Sequence, residues 1–269
     1  LALAAGVLAA GTASPPNTAA ACPSGPGFDA LSSLRDEMRA RGHVSERALV
    51  IGPGEGTTAT RTLKEAFQHL GLRTCHMCKS EFTRTVLESE PSAYATLDFP
   101  SLLEEYDAIV DTPVAQLFPF ILAAFPNAKV VHTVREATEW AAKRAREHGS
   151  PKVGAALIAS LSRARVPAAF LEAKWNESAG DTIVEELSFR RPWENSSCDA
   201  TRSACFADAI AFSAQNTYHR CITPPSQYLL LDAFSGDMCR PEFLPTLAAF
   251  VGRAVPAGAY AVRGCPQDS

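Results

Sequence analysis

Residues 48–77 read ALVIG PGEGTTA TRTLKEAFQHLG LRTCHM, and this stretch decides the fold. ALVIG (48–52) is a short, almost wholly apolar run, the pattern of a strand buried on both faces of a parallel sheet. From 60 to 70 the period changes to that of a helix, and LRTCH (72–76) is a second β-rich run. Strand, glycine-rich turn, helix and strand in this order predict a right-handed βαβ crossover.

The same alternation continues outward. AIVD (108–111), KVVHTV (129–134) and YLLLD (228–232) are further strand candidates, with helical periodicity over 114–125, 138–148 and 208–222. The expectation is an α/β fold, three layers α/β/α around a central parallel sheet of about five strands. Residues 46–269 are read as one domain, in which the polar stretch 177–205 is an insertion or lid. Ligands of such sheets bind at the carboxyl ends of the strands, so the residues after each strand are the candidates: Gly52–Thr58, His76, Asp111 and Arg135.

Gly52-Pro53-Gly54-Glu55-Gly56-Thr57-Thr58 runs directly into a helix. Glycines let backbone N–H groups converge, the helix N-terminus adds partial positive charge, and Thr57 and Thr58 bring hydroxyls. That combination suits a phosphate or sulfate group, although glycines also serve purely structural strand–helix turns. The loop lacks GxxxxGK[ST], so an ordinary nucleoside-triphosphatase loop is not indicated.

Composition narrows the class. The 269 residues carry 25 Lys+Arg against 29 Asp+Glu, a formal charge of −4, which gives no basic excess for general nucleic-acid binding. Hydrophobic residues at 46% and charged residues at 20% exclude a disordered chain or a coiled coil. Residues 1–45 open with the apolar LALAAGVLAAGT and a Pro/Ala/Ser-rich SPPNTAAACPSGPG. They are read as the remnant of a signal peptide or membrane anchor followed by a stem with a short helix. Sequons at Asn176 and Asn195 and eight cysteines agree on an oxidising compartment, in the secretory pathway, Golgi lumen or outside the cell. Cys198, Cys205, Cys221, Cys239 and Cys265 cluster after Asn195, and at least two disulfides are expected among them. Cys75-His76-Met77-Cys78 has no second ligand pair for zinc, and with six other cysteines present a structural disulfide is favoured over a redox centre.

The order of motifs resembles the sulfotransferase superfamily. The resemblance rests on the strand followed by GTT, on TRTLKEAFQHLGL, on TCHM ending the second strand, and on YDAIVDTP (106–113). It continues through FPNAKVVHTVR (125–135), Glu139-Trp140, and Tyr218-His219-Arg220 ahead of YLLLD, covering about 46–148 well and 208–252 loosely. It implies a P-loop NTPase-like fold using 3′-phosphoadenosine-5′-phosphosulfate (PAPS), with adenosine 3′,5′-bisphosphate as product. The acceptor would be a hydroxyl or amine of a glycan, protein, lipid or small molecule. By the resemblance, Gly54, Gly56, Thr57 and Thr58 hold the 5′-phosphosulfate and Arg135 the 3′-phosphate. Two departures stand out. Gly54, or Thr57 in an alignment shifted toward the helix, occupies the family's loop Lys/Arg position, and Lys143, whose ammonium is expected to bind the nucleotide's phosphate, replaces a serine eight residues after the strand-end arginine. Arg61, on the first turn of the following helix, is expected to lean back as the replacement cation, with Lys64 facing solvent. Asp111 is the preferred base that takes the acceptor's proton and His76 the alternative. His132 is read as a core residue, and His219 faces cleft or solvent. A catalytically inactive nucleotide-binding relative and a small-molecule kinase on the same fold are the rival readings.

Overall fold

The computed structural model describes residues 22, 26–76, 78, 81–89, 91–111, 113–148, 203–232, 234 and 236–258. The leader at 1–12, both sequons, Cys198, Cys265 and the stretch 177–202 lie outside them.

Five strands form one all-parallel sheet in the order β2-β3-β1-β4-β5: β1 (Val50–Gly52), β2 (Thr74–His76), β3 (Ala108–Val110), β4 (Lys129–Val134) and β5 (Tyr228–Asp232). Each coincides with a β-rich run of the sequence. Alternation sorts its side chains between two cores. Leu49 and Ile51 of the β1 segment, with Ile109 and Val130, join one core, while Val50, Ala108, Val110 and Val131 join the other. The first core is covered by α1 (Pro26–Ala40), α3 (Glu81–Glu88), α5 (Val114–Ala124) and α7 (Ser203–Ile222). The second is covered by α2 (Thr60–His69) and α8 (Phe243–Val251). Two further helices are α4 (Phe99–Leu102) and α6 (Ala137–His148). Among the described residues no helix is long and apolar enough to cross a membrane.

Several details go beyond the sequence reading. The helix foreseen in the stem, α1, packs on α5 and contributes Met38 to the core. The expected insertion ends sooner than 205, because 203–205 already belong to α7. Pro119 interrupts α5 and has no N–H for Ala115 O, and Gln215 Nε2 on α7 donates to that carbonyl instead, at 3.2 Å. Cys221 of the late cluster is bonded to Cys22, tying the segment ahead of α1 to α7, while Cys198 and Cys265 of that cluster lie outside the described residues. Cys75 and Cys78 form a disulfide, the structural reading of that motif, and Cys239 is also disulfide-bonded.

The order 2-3-1-4-5 reverses direction at β1, since β2 and β3 lie on one side of it and β4 and β5 on the other. A crevice at the carboxyl ends beside β1 is therefore where a ligand belongs.

Candidate active site

The loop from Gly52 to Ala59 fills that crevice. Leu63 N–H donates to Ala59 O, so the N–H groups of 60–62 lie ahead of the first helical bond of α2 and point at the loop. Among the described residues three non-glycines take left-handed backbone angles, and all three are here: Thr57 (φ 75°), Ala59 (φ 63°) and Asp111 (φ 71°). For a β-branched threonine that conformation is strained, and such strain concentrates at functional sites.

Gly54 and Gly56 are needed for close approach rather than for φ. A Cβ on Gly54 would lie 2.8 Å from the backbone oxygen of Thr133 on β4 and 2.2 Å from its hydroxyl oxygen. No side chain fits at position 54 in this loop conformation. A Cβ on Gly56 would lie 2.3 Å from Arg144 Nη1 and 3.4 Å from Asp111 Oδ1. Trp140 Nε1 donates to Gly56 O at 3.0 Å, and its ring stacks on Phe212 of α7 at 4.2 Å. Trp140 and Arg144 are four residues apart on α6 and therefore share one face, which holds the loop.

The other loop side chains have defined partners. Thr58 is wholly buried, and both its N–H and its hydroxyl donate to Glu55 O, with Thr133 Oγ1 3.1 Å away. Both donors of Thr58 thus brace the loop. Glu55, 1% exposed, turns toward α5, where Gln116 Nε2 donates to its Oε1 at 2.8 Å. Thr57 Oγ1 is buried without a hydrogen-bond partner.

The two candidate bases meet. His76 Nε2 at the end of β2 lies 2.9 Å from Asp111 Oδ2 at the end of β3, and Thr60 Oγ1 on the first turn of α2 is 3.2 Å from each. Oδ2 of Asp111 thus anchors the cluster while Oδ1 faces Gly56. The Cys75–Cys78 disulfide closes around His76, which fixes the chain on both sides of the imidazole.

Arg135 follows β4 as expected. Its guanidinium pairs with Glu139 at 3.3 Å and lies over the Phe234 ring at 4.0 Å. Glu136 caps α6 by accepting from the N–H groups of Thr138 and Glu139. Burial opposes ionisation of Glu136, but those bonds and the Thr138 hydroxyl outweigh it and hold the carboxyl below its usual range. Lys143 is half-buried on α6, beside Arg144 in sequence.

Arg61 is exposed on α2, and the guanidinium against the loop is that of Arg144. Arg144 is a residue that the sequence reading did not single out. Its one signal was the i, i+4 spacing from Trp140. His132 is a core residue, with Nδ1 2.7 Å from the Tyr228 hydroxyl and Nε2 3.1 Å from Asn216 Oδ1. His219 is also fully buried, against Phe118 at 4.5 Å and His132 at 5.5 Å. Neither histidine reaches the cleft.

The carboxyl edge of the parallel sheet thus holds a glycine-rich loop closing onto a helix N-terminus and a carboxylate–imidazole pair at the adjacent strand ends. The sulfotransferase domain matches residues 49–259, and the chain belongs to the sulfotransferase family. It is also 30% identical over 94 residues to Ava biosynthesis cluster protein M of Aspergillus versicolor, a match covering 31% of this chain and 36% of that protein.

Proposed function

We propose that this protein transfers a sulfuryl group from PAPS to a hydroxyl or amine acceptor. The observation that carries the proposal is the convergence on Gly56. An arginine, a carboxylate and a tryptophan N–H meet at one glycine, and two buried polar atoms nearby, Thr57 Oγ1 and Arg144 Nε, lack hydrogen-bond partners. Orphaned buried donors are costly, and an anion would satisfy them. The residues present therefore fit the 5′-phosphosulfate, with the N-terminal turn of α2 and Thr57 holding it. Arg135 would hold the 3′-phosphate, exchanging its contact with Glu139 for a bidentate one.

When bound, PAPS supplies an activated sulfuryl group and a phosphate leaving group. Asp111 then takes the acceptor's proton on Oδ1. His76 Nε2 and the Thr60 hydroxyl hold Oδ2 and keep the carboxylate turned toward Gly56. Trp140 and the α6–α7 contact shield the loop from water, which strengthens every charge interaction within it. The disulfides support an oxidising compartment such as the secretory lumen.

Two measurements test this reading. Adenosine 3′,5′-bisphosphate raises the melting temperature and ATP does not, a comparison that separates sulfotransferase from kinase chemistry. Asp111→Asn keeps the side-chain shape and tolerates the left-handed backbone. It lowers turnover with labelled PAPS by roughly 10²–10⁴-fold while nucleotide affinity stays near that of the parent. Full turnover in the variant would remove Asp111 from the reaction.

A further inference from the structure

Arg144 is 4% exposed, and its Nε has no hydrogen-bond partner. Among the described residues no carboxylate forms an ion pair with it. A buried guanidinium left without a partner penalises the fold unless a ligand completes it. Its position says which ligand. Nη1 lies 2.3 Å from where a Gly56 Cβ would stand, so the guanidinium lies against the loop, in space that only a glycine leaves open. The N-terminal turn of α2 aims at the same loop, and Thr57 contributes a second buried atom without a partner.

We propose that Arg144 is the cation of this loop, an anion-binding residue delivered from α6 to hold a phosphate or sulfate group beside Gly56. The proposal rests on the nucleotide reading above and assigns the residue that meets the charge at the 5′ end. The loop backbone is pressed against Thr133 at Gly54 and leaves no room for a long side chain there, so the charge enters from the neighbouring helix. Trp140, one turn earlier, fixes the helix to Gly56 O and sets the arginine's reach. Asp111 flanks the same glycine, so the cation that holds the anion and the carboxylate that takes the proton stand on either side of one point.

The test compares the parent with Arg144→Gln, Arg144→Lys and Gly56→Ala, each checked for folding by its melting curve without ligand. Three probes are titrated by calorimetry or thermal shift: adenosine 3′,5′-bisphosphate, adenosine 3′-monophosphate and inorganic sulfate. Arg144→Gln is expected to weaken the bisphosphate and sulfate by tenfold or more and to leave the 3′-monophosphate, which lacks the 5′ group, within twofold. Arg144→Lys recovers part of the loss. Gly56→Ala, which keeps the charge but displaces the guanidinium, reproduces the loss if Arg144→Gln proves too unstable to measure. If the parent binds sulfate in an Arg144-dependent way but neither nucleotide, the nucleotide reading falls and the anion site stands. Equal loss across all three probes, parent-like affinity in Arg144→Gln and Gly56→Ala, or no anion binding by the parent each overturns the assignment.

Discussion

Glycine 54 shows how much a single missing atom can decide. Its contact with the backbone of Thr133 holds the loop against β4, and because the neighbour is backbone the strain cannot be relieved by a rotamer change. Gly54→Ala is expected to destabilise the fold by about 1–3 kcal/mol, the usual range for overpacking, read as a lower denaturant midpoint with unchanged slope. A variant as stable as the parent would mean that the loop and β4 separate easily. Arg135 is a second residue-scale case. Its pair with Glu139 is half exposed on the carboxylate side, the kind of contact worth little in water. Exchanging it for a phosphate is then favourable, and Arg135→Ala should weaken adenosine 3′,5′-bisphosphate by about 1.5–3 kcal/mol in calorimetry. Among the site residues, His76 and Asp111 were legible because strand ends can be read from apolar runs. Arg144 was not, since nothing in its local sequence says that α6 packs its face over the loop.

At the scale of elements, the central strands β1 and β3 coincided with apolar runs because they are buried on both faces, while the edge strands β2 and β5 are only partly buried. The ends of helices were less legible. α7 begins at Ser203, before 208, and its opening SACFA is too short and unpatterned to show a helical period by itself. The contact of α7 with the sheet also carries a pH dependence. Burial pushes His132 down from its ordinary 6.5 to about 4, with the hydrogen bond from His132 Nε2 to Asn216 Oδ1 opposing. His219 is lowered by burial first and then by His132. Both therefore fold neutral, and the unfolded chain binds the protons that the native state refuses. Stability is full above pH 6.5 and is lost as pH falls toward 4, by about 3 kcal/mol from His132 alone. Urea melts at pH 7 and pH 5 check this. His132→Gln flattens the profile, and an identical pH slope in parent and variant would remove His132 as its source.

For the whole molecule, the chain is held as one body by two cores on opposite faces of the sheet and by a covalent tie between its start and α7. The Cys22–Cys221 bond spans 199 residues, and bridges of that kind stabilise mainly by restricting the unfolded chain. Cys221→Ser is expected to lower stability by about 2–4 kcal/mol, measured under non-reducing conditions. Sequence alone showed an even cysteine count and a late cluster, but pairing depends on which elements meet in space. The all-parallel sheet was legible throughout. Its order, and with it the crevice at β1, was not, because strand order is set by packing between residues far apart in the chain. The central claim is that this crevice holds a PAPS-type nucleotide. A crystal structure with adenosine 3′,5′-bisphosphate tests it most directly. The account predicts the 5′-phosphate beside Gly56 and Thr57 in contact with Arg144, and the 3′-phosphate on Arg135 in place of Glu139. Nucleotide bound elsewhere, or reversed so that Arg144 meets the 3′-phosphate, would contradict it.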